Sequence, residues 1–152
     1  MKETMIGAWV GTNLLNLSWL PNPQYLSDAT LTVARVAGGN FFEVAYTWSH
    51  EEIPHSGRML ISVNPGNSKA QVAWCDSWHQ SVGLMLCDGT VDDTETLTVL
   101  GTYGAPPGPD WGWRITLGQP TDETLELVMV NIPPGGPDDL AVRATFTRAM
   151  SA

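Results

Sequence analysis

The chain has 152 residues and a net charge of −9, enough length for one domain with a substantial core and a charge that argues against nucleic acid or an anionic membrane surface as partner. Charged residues are only 15% of the chain, below the roughly one quarter of an average soluble domain. Seven residues are tryptophan, so the fold must provide either a core or a lined pocket for them.

No apolar stretch follows Met1-Lys2-Glu3-Thr4-Met5 as a secretory leader requires, and no apolar run approaches the roughly 20 residues of a membrane helix. Cytoplasm is therefore the expected compartment. Gly7 to Ser18 reads as a first strand after a short N-terminal turn, and Pro21-Asn22-Pro23 breaks it. The residues up to Asp28 read as a loop or small lid. Thr30 to Val36 is a second strand, closed by the hairpin signal Gly38-Gly39-Asn40. Phe41 to Ser49 is a third, with Phe42, Val44, Tyr46 and Trp48 on one face. Arg58–Asn64, Lys69–His79, Val82–Cys87, Thr96–Tyr103, Trp111–Leu117, Thr124–Ile132 and Leu140–Arg148 follow, separated by Gly, Pro, Asn and Asp clusters. Helical periodicity is absent and nearly every link is hairpin-sized. The expected fold is a single all-β domain over residues 1–152, an antiparallel up-and-down barrel of about ten strands. Closure also removes the sheet edges that an open arrangement would expose.

Within Lys69–His79, alternation puts Trp74, Asp76 and Trp78 on one face and Cys75, Ser77 and His79 on the other. An acid between two indoles suggests a lined cavity. The favoured reading is a buried carboxylate paired with Arg58, Arg35 or Arg114, because buried charges are usually paired. Asp76 and His79 point to opposite faces on this reading and cannot form a dyad without a bulge. Ser77 and His79 share a face, but no G-x-S-x-G elbow surrounds the serine. His50, His55 and His79 lack metal-ligand spacing, and Cys75 and Cys87 are not C-x-x-C, so no metal is expected. The two cysteines could be cross-strand neighbours and are expected to be reduced.

Ala105 to Arg114 is a second rich stretch, in which three prolines hold a loop that leads into Trp111-Gly112-Trp113-Arg114. It can be a rigid rim delivering two aromatics and an arginine to a ligand, or simply a barrel corner with tryptophan packed over the gap.

Gly7-Ala8-Trp9-Val10-Gly11 is a G-x-W-x-G pattern opening the first strand. It resembles the start of lipocalins and their calycin relatives. That resemblance implies a Trp9 closing one barrel end beneath a basic residue of the last strand, here Arg143 or Arg148. More widely, the chain is similar to an uncharacterised bacterial domain-of-unknown-function family with a lipocalin-like barrel. The resembling pieces are Leu31–Val36 with Gly38-Gly39, Tyr46-Thr47-Trp48, Trp74 to His79, Gly101-Thr102-Tyr103 and Ala105 to Arg114. The family implies the barrel and leaves the activity open. A related barrel family with the same opening binds haem through a late histidine, but this chain has no histidine after His79, so no cofactor is expected.

The leading functional expectation is a binding barrel for a small apolar or aromatic ligand. Its expected lining is drawn from Tyr46, Trp48, Trp74, Asp76, Trp78, Tyr103, Trp111, Trp113 and Arg114. The rival is a cofactor-free cyclase or isomerase acting on a hydrophobic substrate in the same cavity, with Asp76, Tyr46, Arg114 and Tyr103 as its catalytic candidates. Apolar residues on both faces of Phe41–Trp48 and Leu125–Ile132 suggest a homodimer as well.

Overall fold

A computed structural model describes residues 1–150. After a 3-10 turn over Glu3–Met5 come ten strands: β1 (Gly7–Asn16), β2 (Gln24–Val36), β3 (Phe41–His50), β4 (Ile53–Val63), β5 (Lys69–Asp76), β6 (Gln80–Val91), β7 (Leu97–Tyr103), β8 (Trp111–Thr121), β9 (Thr124–Ile132) and β10 (Asp139–Arg148). Each pairs antiparallel with its sequence neighbours, and β10 returns to pair with β1 through Trp9 opposite Arg148. The barrel is closed, all-β and up-and-down, as the turn spacing predicts.

Strand alternation decides what fills it. Inward positions such as Leu31, Val33, Val44, Met59, Ile61, Val72, Leu97, Ile115 and Leu117 are at most 2% exposed, while their neighbours along each strand face water. Bulges adjust this phase. One between Leu140 and Val142 lets Ala141 and Val142 both turn inward.

Several strands run longer than the sequence suggests. β2 begins at Gln24, so the lid before Asp28 is strand, and only a short turn around Pro21–Pro23 remains. β4 starts at Ile53, where Pro54 opposes Ser49. β6 continues through Asp88-Gly89, which reads as a turn in the sequence. Gly89 is there because β7 passes close by: a Cβ would lie 2.0 Å from the Thr98 carbonyl oxygen. β5, by contrast, stops at Asp76, three residues early.

Antiparallel order sends the starts of β1, β3, β5, β7 and β9 to one end and their finishes to the other. The first end is closed by Trp9, which is 1% exposed and donates its indole N–H to the Met5 carbonyl at 2.9 Å. The Arg148 guanidinium lies 4.3 Å from the centre of its ring and donates to the carbonyls of Thr4 and Ile6. Of the two basic candidates it is therefore Arg148 that covers Trp9. Arg143 sits outside, 4.0 Å from Glu126. The second end, where β3, β5 and β7 finish and β8 begins, gathers Tyr46, Trp48, Trp74, Trp78, Trp113, Asp76 and His79.

Candidate functional site

The second end is organised by Asp76, a carboxylate only 3% exposed. It is not paired with an arginine. Arg35 pairs with Glu3, Arg58 with Glu43 and Arg114 with Asp138, all on the surface. Asp76 is held by four neutral donors instead. One oxygen accepts from the Tyr46 hydroxyl at 2.8 Å and the Trp48 indole at 3.3 Å. The other accepts the backbone N–H groups of Trp78 at 2.8 Å and His79 at 2.9 Å. The Tyr46 oxygen in turn accepts from the Trp74 indole at 2.9 Å. Trp74, Tyr46 and Asp76 thus form one relay of hydrogen bonds, in which each buried polar group is satisfied by the next.

A glycine makes that relay possible. Gly57 lies between Tyr46 and Asp76 in the register, opposite the first on β3 and the second on β5. A Cβ on Gly57 would sit 2.1 Å from the Tyr46 ring. The phenol therefore leans across the bare β4 backbone to reach a carboxylate two strands away. Burial, reinforced by the Asp76 charge, drives the Tyr46 hydroxyl well above the ordinary tyrosine range, so it acts as a donor.

The same carboxylate ends β5. By capping the N–H groups two and three residues ahead, it folds Ser77-Trp78-His79 into a turn. The face assignment based on a strand running to His79 is therefore corrected. Trp74 and Asp76 point inward as expected, but Trp78 lies in the turn at 40% exposure. His79 is folded inward beside Asp76 rather than away from it. Ser77 faces outward, bonded to the His55 imidazole and to the Ser56 N–H, both at 3.1 Å.

This turn draws all three histidines of the chain to one aromatic cluster. His79 stacks on Trp48, with ring centres 5.6 Å apart, and lies 5.3 Å from Trp113. His55 is 4.7 Å from the same Trp48 and 5.2 Å from Trp78. His50 meets Trp78 edge-on at 5.0 Å. Trp74 and Trp113 are stacked at 5.3 Å. Among the described residues, no group of three His, Cys, Asp or Glu side chains is arranged to hold a metal. Burial holds the His79 imidazole below the ordinary histidine range, more strongly than the nearby Asp76 raises it. His79 is accordingly neutral near pH 7.

The other expected site residues divide. Tyr103 is at the rim, donating to Asn131 at 2.7 Å and facing Trp111 at 6.3 Å and Trp113 at 6.4 Å. Trp113 is buried and Trp111 half-buried. Arg114 lies on the outer face, 2.6 Å from Asp138, and takes no part in the interior. Cys75 faces outward while Cys87 is buried opposite Val72, so the two are not neighbours. Burial pushes the Cys87 thiol up to about 11.

Between Asp76, His79, Tyr46, Trp48 and the apolar side chains of β9 and β10 lies a cavity that also reaches Asn13. Its volume is only about 10 Å³, room for roughly one water. Among the described residues, four buried polar atoms at this end have no partner: the Asn13 amide nitrogen, His55 Nε2, His79 Nε2 and the Trp113 indole nitrogen. Asn13 and Gly57 escape sequence reasoning, which weighs the histidines only as metal ligands or catalytic partners and does not gather them at this end.

The chain matches the family model described as "Protein of unknown function (DUF1579)" over residues 2–148. It belongs to that family. A search of curated proteins finds no match for this DUF1579 barrel. The matched span takes in every strand, so the Asp76 relay, the three histidines and the Trp9–Arg148 plug all lie within the DUF1579 domain.

Proposed function

We propose that this barrel binds a small, planar aromatic or apolar molecule carrying hydrogen-bond acceptors, at the end built around Asp76 and His79. The observation that carries the reading is the set of unpartnered buried atoms. An indole N–H on Trp113 and an amide NH₂ on Asn13 are donors, and His79 Nε2 donates or accepts according to its tautomer. Leaving such groups unpaired costs about 1–3 kcal/mol each, a cost that a carbonyl or ether oxygen on a ligand removes. The cavity that Asn13 and His79 line is walled by Trp48, Tyr46, Phe146 and aliphatic side chains, the usual lining of a small-molecule site, and Trp113 lies beside it, 5.3 Å from the His79 ring. Trp9 beneath Arg148 closes the opposite end in the manner of calycin barrels, leaving this end as the mouth.

The present cavity holds no more than a water, so a ligand enters by displacing the Ser77–His79 turn. Trp78, already 40% exposed, is the natural moving part. The cyclase or isomerase reading draws less support. All of Asp76's accepting capacity is engaged, the Tyr46 hydroxyl holds its proton, and Arg114 lies outside. Solubility and a cytoplasmic place remain part of the same proposal.

Native mass spectrometry of the protein as purified from its host, followed by calorimetric titration with coumarin as a planar carbonyl-bearing probe, tests the reading. Saturable 1:1 binding that is lost in His79→Leu, with the fold retained by circular dichroism, supports it. Absence of any bound mass together with no heat from coumarin or related aromatic lactones and ketones refutes it.

A further inference from the structure

We propose that the molecule bound at this end carries a positive charge, an ammonium group that rests at the lip against Trp78, Glu51 and Glu52 while its planar head fills the pocket. The inference rests on the binding reading above and names the charge of the ligand. It starts from the β3–β4 turn. Glu51 and Glu52 are the two residues between His50 and Ile53, which pair across the hairpin. Both have a left-handed backbone, with φ of 50° and 65°. A turn of this shape is filled most readily by Asn-Gly. Two glutamates there accept an unfavourable backbone and set two like charges side by side on an exposed tip. Neither has a cation: among the described residues every ion pair of the barrel lies elsewhere.

What lies beside this turn is an indole. His50 and His55, on the two strands that flank it, meet the Trp78 ring edge-on at 5.0 and 5.2 Å. Trp78 is therefore packed on the hairpin that ends in Glu51 and Glu52, with part of its side chain open to water. An aromatic ring and two carboxylates together suit a cation, the ring through its quadrupole and the acids through their charge. Independently of the lip, two buried polar atoms behind it point to a ligand. The Asn13 amide nitrogen and His79 Nε2 belong to side chains that line the cavity, and both are without a partner. Asn13 is 5% exposed.

The rest of the rim disfavours an anion. The five turns at this end, residues 17–23, 51–52, 77–79, 104–110 and 133–138, contain no lysine or arginine. Their other exposed carboxylates are Asp110 and Asp138, and the nearby Arg114 guanidinium is held by Asp138. The opposite end mixes its acids with Lys2, Arg35, Lys69 and Arg148. A carboxylate- or phosphate-bearing ligand thus meets like charge at the mouth and no free counter-ion, whereas an amine meets attraction. The class that fits is a planar aromatic with acceptor oxygens at one end and an aliphatic amine at the other.

Calorimetric titration with three coumarins that differ only at the end of one alkoxy tail, a methyl, an ammonium or a carboxylate group, tests it. The ammonium form should bind about three- to tenfold more tightly than the methyl form, and the carboxylate form more weakly. These differences should shrink in about 1 M salt, where the screening length is about 3 Å. Glu51→Gln/Glu52→Gln should bring the ammonium-to-methyl ratio close to parity. Asp122→Asn/Glu123→Gln removes the same charge from the exposed β8–β9 turn at the opposite end, and should leave that ratio as in the wild type. Circular dichroism checks that both variants keep the barrel. A wild-type ratio near parity, a ratio that Glu51→Gln/Glu52→Gln does not lower, or one that both variants lower equally overturns the inference and leaves the binding reading standing. Silence from all three coumarins overturns the two together.

Discussion

Replacing Asp76 by alanine removes the acceptor for four donors at once, and the cost can be worked from their surroundings. Tyr46 and Trp48 are 7% and 5% exposed, so their hydroxyl and indole groups are left buried without a partner. At about 1–3 kcal/mol for each stranded donor, these two alone cost roughly 2–6 kcal/mol. The freed N–H groups of Trp78 and His79 lie in a partly exposed turn that water can reach, and they add less. A loss of about 3–5 kcal/mol is a large part of the 5–15 kcal/mol that ordinary domains possess. Asp76→Asn keeps one oxygen for two of the donors, and should cost only about 1–2 kcal/mol. Tyr46→Phe leaves the Trp74 indole without its acceptor and should cost a similar amount. Urea unfolding followed by tryptophan fluorescence measures all three, and the double variant Asp76→Asn/Tyr46→Phe measures the coupling across the 2.8 Å bond. An Asp76→Ala loss below about 1 kcal/mol would refute the view that this carboxylate organises the barrel end.

Further outcomes follow from neighbouring contacts. Gly57→Ala forces a Cβ into the Tyr46 ring, and should cost about 1–3 kcal/mol with a changed near-ultraviolet circular dichroism; an unchanged spectrum and stability would contradict the close approach. Arg148→Met removes the cation over Trp9 and the bonds to Thr4 and Ile6, worth about 1–3 kcal/mol, whereas Arg143→Met, with only a surface pair, should cost less than about 1 kcal/mol; equal losses would argue against the plug. Burial keeps His79 below the ordinary histidine value of 6.5, so on acidification the unfolded chain takes up a proton that the barrel refuses. The stability from this group is complete above the unfolded value and is lost as pH falls through the lower folded one. His79→Phe should therefore show a shallower fall in stability below about pH 6.5 than the wild type, and parallel curves would contradict this.

The ten strands were legible because inward positions alternate and turn residues separate them, and the Trp9 plug was legible to within a choice of two arginines. The site was legible only in part, for definite physical reasons. Trp74, Asp76, Tyr46 and Trp48 do share the interior, but reading β5 through His79 overlooked what an aspartate does at a strand end. Its side chain competes for the N–H groups just ahead and folds the chain over. That signal, Asp76 followed by Ser77, was present in the sequence. Gly57 was not readable, since its purpose depends on lying between Tyr46 and Asp76 in a register that no single strand reveals. The arginines were misassigned because 16 acidic residues face seven basic ones. Each long guanidinium side chain can find a carboxylate at the surface without paying for desolvation.

The most direct test of the binding proposal is a ¹⁵N–¹H correlation spectrum recorded during a coumarin titration. Seven tryptophans give seven indole signals to follow. The account predicts saturable shifts in the indoles of Trp113, Trp48 and Trp78 and in the Asn13 side-chain amide, while Trp9 beneath Arg148 and the exposed Trp19 stay in place. Shifts confined to Trp19, or a spectrum that coumarin leaves unchanged at saturation of its solubility, would contradict it.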